Sequence, residues 1–202
     1  MYVLFLAGGI ASGKSTVASM LEQKGFMRID LDDISREVLE PDTPCVCELR
    51  NAFGDDIINA FTQELDRKLL AERAFDTEDT IKTLEDIELP YIKERLVDIL
   101  NTECCVATYP KYCVVEIPLL DKVEDLFDLA DSIAFVSCDT DTRRKRAIER
   151  GMSGNDFDAR DENQPSTDYL SSHCNFMFIN DRDEKNLQKQ VDFWFETIQA
   201  SD

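Results

Sequence analysis

Apolar and polar positions alternate along the chain in blocks that predict its elements. Residues 2–7 (YVLFLA) form a short apolar run rich in β-formers, and residues 16–24 (TVASMLEQK) carry apolar side chains at helical spacing. Residues 26–30 (FMRID) predict a second short strand that ends in acid. Residues 32–39 read as a helix with acids at its N-terminal end, broken by Pro41 and Pro44. A short helix over 45–53 is closed by Gly54, and 66–75 (DRKLLAERAF) is a capped amphipathic helix. Residues 77–101 add further helix, interrupted at Pro90. Strand character returns at 112–117 (YCVVEI), stopped by Pro118, at 132–137 (SIAFVS), and at 175–179 (NFMFI), followed by Asn180. The spacing predicts helices over 140–150 and 184–199.

Between the first strand and the first helix stand residues 8–15, Gly-Gly-Ile-Ala-Ser-Gly-Lys-Ser, a full match to the phosphate-binding loop G-x-x-x-x-G-K-[ST]. Gly8 and Gly13 let backbone N–H groups curl around a phosphate chain where a side chain would block the approach. The helix that follows adds the positive end of its dipole. Lys14 is the residue type that reaches β- and γ-phosphates, and the Ser15 hydroxyl is a Mg²⁺ ligand.

The strands are continuous apolar runs, as parallel strands covered on both faces are. Strands alternating with helices, the phosphate loop after the first, predict an α/β fold of three layers, the P-loop NTPase fold, around a five-stranded parallel sheet. Residues 32–106 are mostly helical and too long for a simple crossover, so they predict an inserted helical substrate lobe. The core is then 1–31 with 107–202, in one kinase-type domain. The polar, glycine-containing stretch 151–165 reads as a mobile lid, spanning about 147–166. Ligands of such sheets bind at the carboxyl ends of strands. That rule gathers the phosphate loop, Asp30 to Asp32, Glu116 to Pro118 and Asn180 around one crevice.

The 202 residues carry a net charge of −20. That balance argues against a nucleic acid or an anionic membrane surface as partner. The seven cysteines, Cys45, Cys47, Cys104, Cys105, Cys113, Cys138 and Cys174, match no zinc or redox spacing. With no secretory signal and no apolar stretch that spans a bilayer, a reducing cytoplasm is the expected setting. Oligomeric state is not legible.

Chemistry beyond the loop centres on a few side chains. Asp30 and Asp32 follow the second strand, where a kinase needs a base or orienting acceptor for the attacking hydroxyl; N-capping of the next helix by Asp32 or Asp33 accounts for the same spacing. Arg143, Arg144, Lys145, Arg146 and Arg150 are the densest basic cluster in an acidic chain, and Arg143, Arg146 and Arg150 share a helical face. They suit either a transferring phosphoryl group or a solvated ion-paired helix. Glu116 fits a water-mediated Mg²⁺ contact or a hydrogen bond within its loop. His173 and Trp194 read as structural.

The motifs coincide with one family. The chain resembles dephospho-coenzyme A kinase along nearly its whole length, through GGIASGKST (8–16), IDLDDISR (29–36), FGDDI (53–57), LDRKLL (65–70), IPLL (117–120), RAIER (146–150), Arg160 with Gln164, and Asn180. The resemblance implies transfer of the ATP γ-phosphoryl group, with Mg²⁺, to the ribose 3′-hydroxyl of dephospho-coenzyme A, the last step of coenzyme A synthesis. It implies that Gly8, Gly9, Ala11, Ser12, Gly13, Lys14, Ser15 and Thr16 hold ATP, with Ser15 on the metal and Lys14 and Arg146 active in transfer. It makes Asp32 the base, places Arg36, Arg67, Pro118 and Leu119 toward the acceptor, and sets Arg146 and Asn180 near the adenine. The chain departs from the family pattern in five places: Ala11 for a usual Gly, Ala7 for a common Thr, Leu89-Pro90 for His-Pro, Asp121-Lys122 for Phe-Glu, and a lid one residue short after Arg150. Ala11 suits the loop if its φ is negative. A nucleoside or nucleotide kinase on the same scaffold, or a non-catalytic nucleotide-binding regulator, are the alternative readings.

Overall fold

The computed structural model describes residues 1–103 and 110–200. They divide into two compact units, 1–30 with 110–200, and 31–103.

The first unit holds five strands: β1 (Tyr2–Ala7), β2 (Phe26–Asp30), β3 (Tyr112–Glu116), β4 (Ser132–Ser137) and β5 (Phe176–Ile179). All pair in parallel, in the order β2-β3-β1-β4-β5. The expected α/β sheet is therefore present, with β1 at its centre, and the phosphate loop leaves from the carboxyl end of that central strand. Its helices are α1 (Lys14–Glu22), α6 (Thr140–Glu149), α7 (Gly154–Glu162), α8 (Thr167–His173) and α9 (Glu184–Gln199). Leu4 and Leu6 of β1, Val17 and Leu21 of α1, Phe178 and Trp194 share one buried cluster. Burial of each such side chain contributes about 1.5–3 kcal/mol. Trp194 is 4% exposed and its ring meets Tyr2, Phe26 and Phe178, so it packs the core as its sequence context predicts.

The second unit comprises α2 (Leu31–Val38), α3 (Pro44–Phe53), α4 (Arg67–Ala74) and α5 (Glu78–Glu103). Helix α2 ends at Val38, ahead of Pro41; Pro44 starts α3, where a missing N–H costs nothing, and Thr43 caps it by accepting from the Val46 N–H. Asp66 caps α4 by accepting from the Lys68 and Leu69 N–H groups. The lobe core is Leu39, Cys45, Val46, Leu49, Phe53, Ile57, Leu70 and Ala74.

One local expectation is corrected. The helix does not stop at Pro90; α5 runs through it. An internal proline costs about 3 kcal/mol, but Ile92, Leu96 and Leu100 are buried beyond it and Leu84, Ile87 and Tyr91 pack on the lobe core. The polar segment read as a lid contains a helix, α7. Ser153 caps it through the Asp156 N–H, and its one large apolar residue, Phe157, is fully buried. Capping and a single anchored ring stabilise a helix whose composition reads as loop.

Among the described cysteines, Cys45 and Cys113 are buried and free, and burial pushes both thiols up to about 12. Glu88 and Glu48 add to the effect at Cys45. Cys104 and Cys105 lie outside the described residues. His173 stacks on Tyr169 with ring centroids 4.1 Å apart, and its Nδ1 lies 2.9 Å from the Tyr169 carbonyl oxygen, a local structural role.

Candidate active site

The phosphate loop is held in shape by its own backbone and by three distant side chains. The Ser12 N–H donates to the Gly9 carbonyl, and the Thr16 and Val17 N–H groups both donate to that of Gly13. Gly13 sits at φ 103°, ψ 23° and opens α1. The N-terminal end of α1, the positive end of its dipole, faces whatever lies in the loop. Asn180 donates from Nδ2 to the Ser12 carbonyl at 2.7 Å, in a buried bond. Gln164 accepts the Ile10 N–H on Oε1 at 2.5 Å. Arg143 closes on Gly9, where an added Cβ would stand 2.6 Å from Nη1.

Several side chains that the sequence assigns to the loop are brought together. Lys14 Nζ donates to the Gly8 carbonyl at 2.6 Å, which folds the amine over the loop. Ser15 Oγ donates to Glu116 Oε2 at 3.0 Å. Ser12 Oγ is, among the described residues, the buried side-chain polar atom with no partner, in a residue 1% exposed. A buried hydroxyl without a partner is costly and rare, and a phosphate oxygen is the acceptor that this loop type provides for. The cradle therefore fits the phosphates of ATP. It also fits Mg²⁺. Ser15 and Glu116 supply hard oxygen atoms, and Mg²⁺ takes one or two protein oxygens and completes its shell from phosphate and water.

Ala11 lies at φ 57°. The negative φ that would suit an alanine is not what the loop adopts; position 11 is left-handed, the conformation only glycine takes without strain. The Ala11→Gly variant is expected to be more stable by about 0.5–1 kcal/mol. Relief of about 1–2 kcal/mol of strain is partly offset by the greater freedom of glycine in the unfolded chain. A urea midpoint no higher than the parent's, at unchanged slope, would refute the strain.

The basic cluster separates into different roles. Arg143 is 12% exposed and pairs with Asp161 of α7 at 2.5 Å, and its guanidinium lies 5.7 Å from the Phe157 ring centre. Arg144 pairs with Asp158 at 3.1 Å. These two tie α6 to α7. Arg146 instead donates to the Asn180 carbonyl at 3.2 Å and contacts Cys138 Sγ at 3.4 Å. Arg146 and Asn180 thus meet, and Asn180 carries the contact on to the loop.

Glu116 is 2% exposed at the end of β3, and Asp30 of β2 is its register partner. Arg28 of β2 donates to Glu116 Oε1 from Nε at 2.7 Å and pairs with it through Nη2 at 2.6 Å. The sequence reading missed Arg28. The only available signal was a charged residue inside an otherwise apolar strand pattern. It also assigned Gln164 no function, although the residue belongs to a family motif. Pro118 and Leu119 follow β3, half-buried.

In the helical unit, Asp32 is exposed in the first turn of α2. Asp32 and Asp33 lie inside that turn rather than ahead of it, so neither is an N-cap in front of the helix. Asp33 pairs with Arg36, and Arg67 Nη2 reaches the Arg36 carbonyl at 3.4 Å, so Arg36 and Arg67 are neighbours. Glu88 lies in the field of Arg67. Burial pushes its carboxyl from 4.5 up to about 7, against the opposing pull of Arg67. The native state therefore holds a proton that the unfolded chain releases at about 4.5, and stability falls as pH rises from about 4.5 to about 7. Glu88→Gln is expected to flatten that fall and to raise Tm at pH 8 by roughly 3–6 °C, with little change at pH 4.5. Parallel pH–Tm curves for the two proteins would exclude it.

No helix among the described residues is long and apolar enough to cross a membrane. The family model for dephospho-CoA kinase matches residues 2–186. Dephospho-CoA kinase of Corynebacterium efficiens is 34% identical over 189 residues, covering 93% of this chain and 92% of that protein. The crystal structure of TT1252 from Thermus thermophilus superposes with a TM-score of 0.79 at 24% identity, covering 97% of each chain. A dephospho-CoA kinase structure from Campylobacter jejuni gives 0.63 at 23% identity, over 97% of this chain and 96% of that one. The structural likenesses carry the fold. The family match over nearly the full length carries the identity: the chain belongs to the dephospho-CoA kinase family.

Proposed function

We propose that this chain phosphorylates the ribose 3′-hydroxyl of dephospho-coenzyme A. The protein is a phosphotransferase of the dephospho-CoA kinase family, which uses ATP to phosphorylate dephospho-CoA in coenzyme A synthesis. The observation that carries the donor half is the phosphate cradle, with its unpartnered Ser12 hydroxyl and with Lys14 folded over the loop at the start of α1.

In this reading Gly8, Gly9, Ala11, Ser12 and Gly13 wrap the β- and γ-phosphates with backbone N–H groups, and Thr16 completes the loop. Lys14 leaves the Gly8 carbonyl to neutralise charge on the moving phosphoryl group. Ser15 is the protein ligand of Mg²⁺, which when bound offsets phosphate charge. Arg146 and Asn180 flank the nucleotide. Asp32 accepts the proton of the attacking hydroxyl, and Arg36, Arg67, Pro118 and Leu119 orient the acceptor. Stretch 147–166 acts as the lid, and 32–106 as the acceptor lobe. In this reading the protein works in a reducing cytoplasm.

Mass spectrometry of dephospho-coenzyme A incubated with the protein and Mg-ATP tests it. The expected result is a gain of one phosphoryl group, located on the ribose by fragmentation. Transfer only to a nucleoside or nucleotide, or ADP release without a phosphorylated acceptor, would overturn it.

A further inference from the structure

We propose that Arg28 is a positioning residue for the divalent cation that accompanies ATP, acting through Glu116. The inference rests on the reading of Ser15 as a Mg²⁺ ligand.

Three observations lead to it. Glu116 is buried, and its register partner is Asp30, so two acidic side chains stand side by side at the carboxyl end of neighbouring strands. Like charges directly opposite destabilise a sheet, and a buried carboxylate without a counter-charge is strongly disfavoured. Arg28 lies two residues before Asp30 on the same face of β2 and answers both problems.

Second, the two oxygens of Glu116 are divided. Oε1 takes two N–H groups of Arg28, Nε at 2.7 Å and Nη2 at 2.6 Å. Oε2 is left for the Ser15 hydroxyl at 3.0 Å. A hydroxyl has one proton. With that proton held by Glu116, the lone pairs of Ser15 turn away from Glu116, as a metal ligand requires. Third, Nη1 of Arg28 also donates to Ser19 Oγ at 3.3 Å. Ser19 is one helical turn beyond Ser15, so the same guanidinium fixes the rotation of α1 about its axis at the ligand. A planar fork can serve Oε1 twice and reach Ser19 as well; a lysine has one nitrogen and cannot.

The proposed test measures how strongly the metal and nucleotide help each other bind, without turnover. The affinity of a non-hydrolysable ATP analogue is taken by calorimetry with Mg²⁺ and with EDTA, and the ratio is the metal coupling. Arg28→Met is expected to lower that ratio about tenfold, the scale seen for groups that orient metal ligands. Affinity in EDTA should change less than about threefold, and Arg28→Lys should recover part of the loss. Glu116→Gln should lower the ratio comparably, and the double variant no further, because both act along one path. If Arg28→Met does not fold, Arg28→Lys and Glu116→Gln carry the same comparison.

A ratio within twofold of the parent in the Arg28 variants overturns the proposal. So does a double variant whose loss is the product of the two single losses. Ser15→Ala separates the underlying reading: an unchanged ratio there removes Ser15 from the metal. A fall in Ser15→Ala with none in the Arg28 variants rejects Arg28 alone.

Discussion

Gly13→Ala is expected to destabilise the protein by about 2–4 kcal/mol and to weaken ATP binding at least tenfold. The residue sits at φ 103°, and a Cβ there would lie 2.2 Å from Asn180 Nδ2. An alanine is strained at that φ by about 1–2 kcal/mol. The contact also drives the Asn180 amide from the Ser12 carbonyl, and a buried group left without its partner costs a further 1–3 kcal/mol or so. Gly25 is the control. It has φ 92°, but an added Cβ meets nothing within 4 Å. Gly25→Ala therefore keeps the strain and lacks the collision. Denaturant midpoints and ATP calorimetry on both variants test the argument. If Gly13→Ala proves as mild as Gly25→Ala, Asn180 does not brace the loop.

Asp32→Asn is expected to lower turnover by roughly 10²–10⁴-fold while ATP affinity stays within about twofold. The substitution keeps size and removes the basic carboxylate. Asp32 is exposed in the first turn of α2, two residues after β2 ends, so its side chain is not part of the buried core. Loss of turnover by misfolding is therefore not expected, and a melting curve verifies that. Asp33 is the matched control, because it sits beside Asp32 and pairs with Arg36. Asp33→Asn should cost only a few-fold. Steady-state kinetics with dephospho-coenzyme A decide the matter: full turnover in Asp32→Asn removes that residue from the base role.

The phosphate loop was legible because its chemistry is local. Eight consecutive residues carry the turn, the amine and the hydroxyl, and the flanking strand and helix announce themselves by periodicity. The strands were legible for a similar reason, since parallel strands buried on both faces are plain apolar runs. The helical character of the chain between β2 and β3 was legible from its periodicity. The path of α5 through Pro90 was not, because the local penalty of proline is visible in sequence while the compensating burial of Ile92, Leu96 and Leu100 is not. Helix α7 was hidden by its polar composition, since one buried ring and a cap suffice to hold it.

The largest gap concerned which partner each charge takes. Arg143 and Arg146 lie on the same short helix and share its basic character, yet one braces α7 and the other reaches Asn180. Arg28 and Glu116 are 88 positions apart, and Ile10 and Gln164 are 154 apart. By itself the sequence determined the phosphate-loop motif, the α/β class, the five strands and the family, because each is written in residues close together along the chain. Only the tertiary structure decided the left-handed backbone at Ala11, the brace that Asn180 and Gln164 put on the loop, and the pairing of Arg28 with Glu116. Those depend on which strands lie side by side and how their pleats register, and that is settled by packing of the whole sheet rather than by any local pattern.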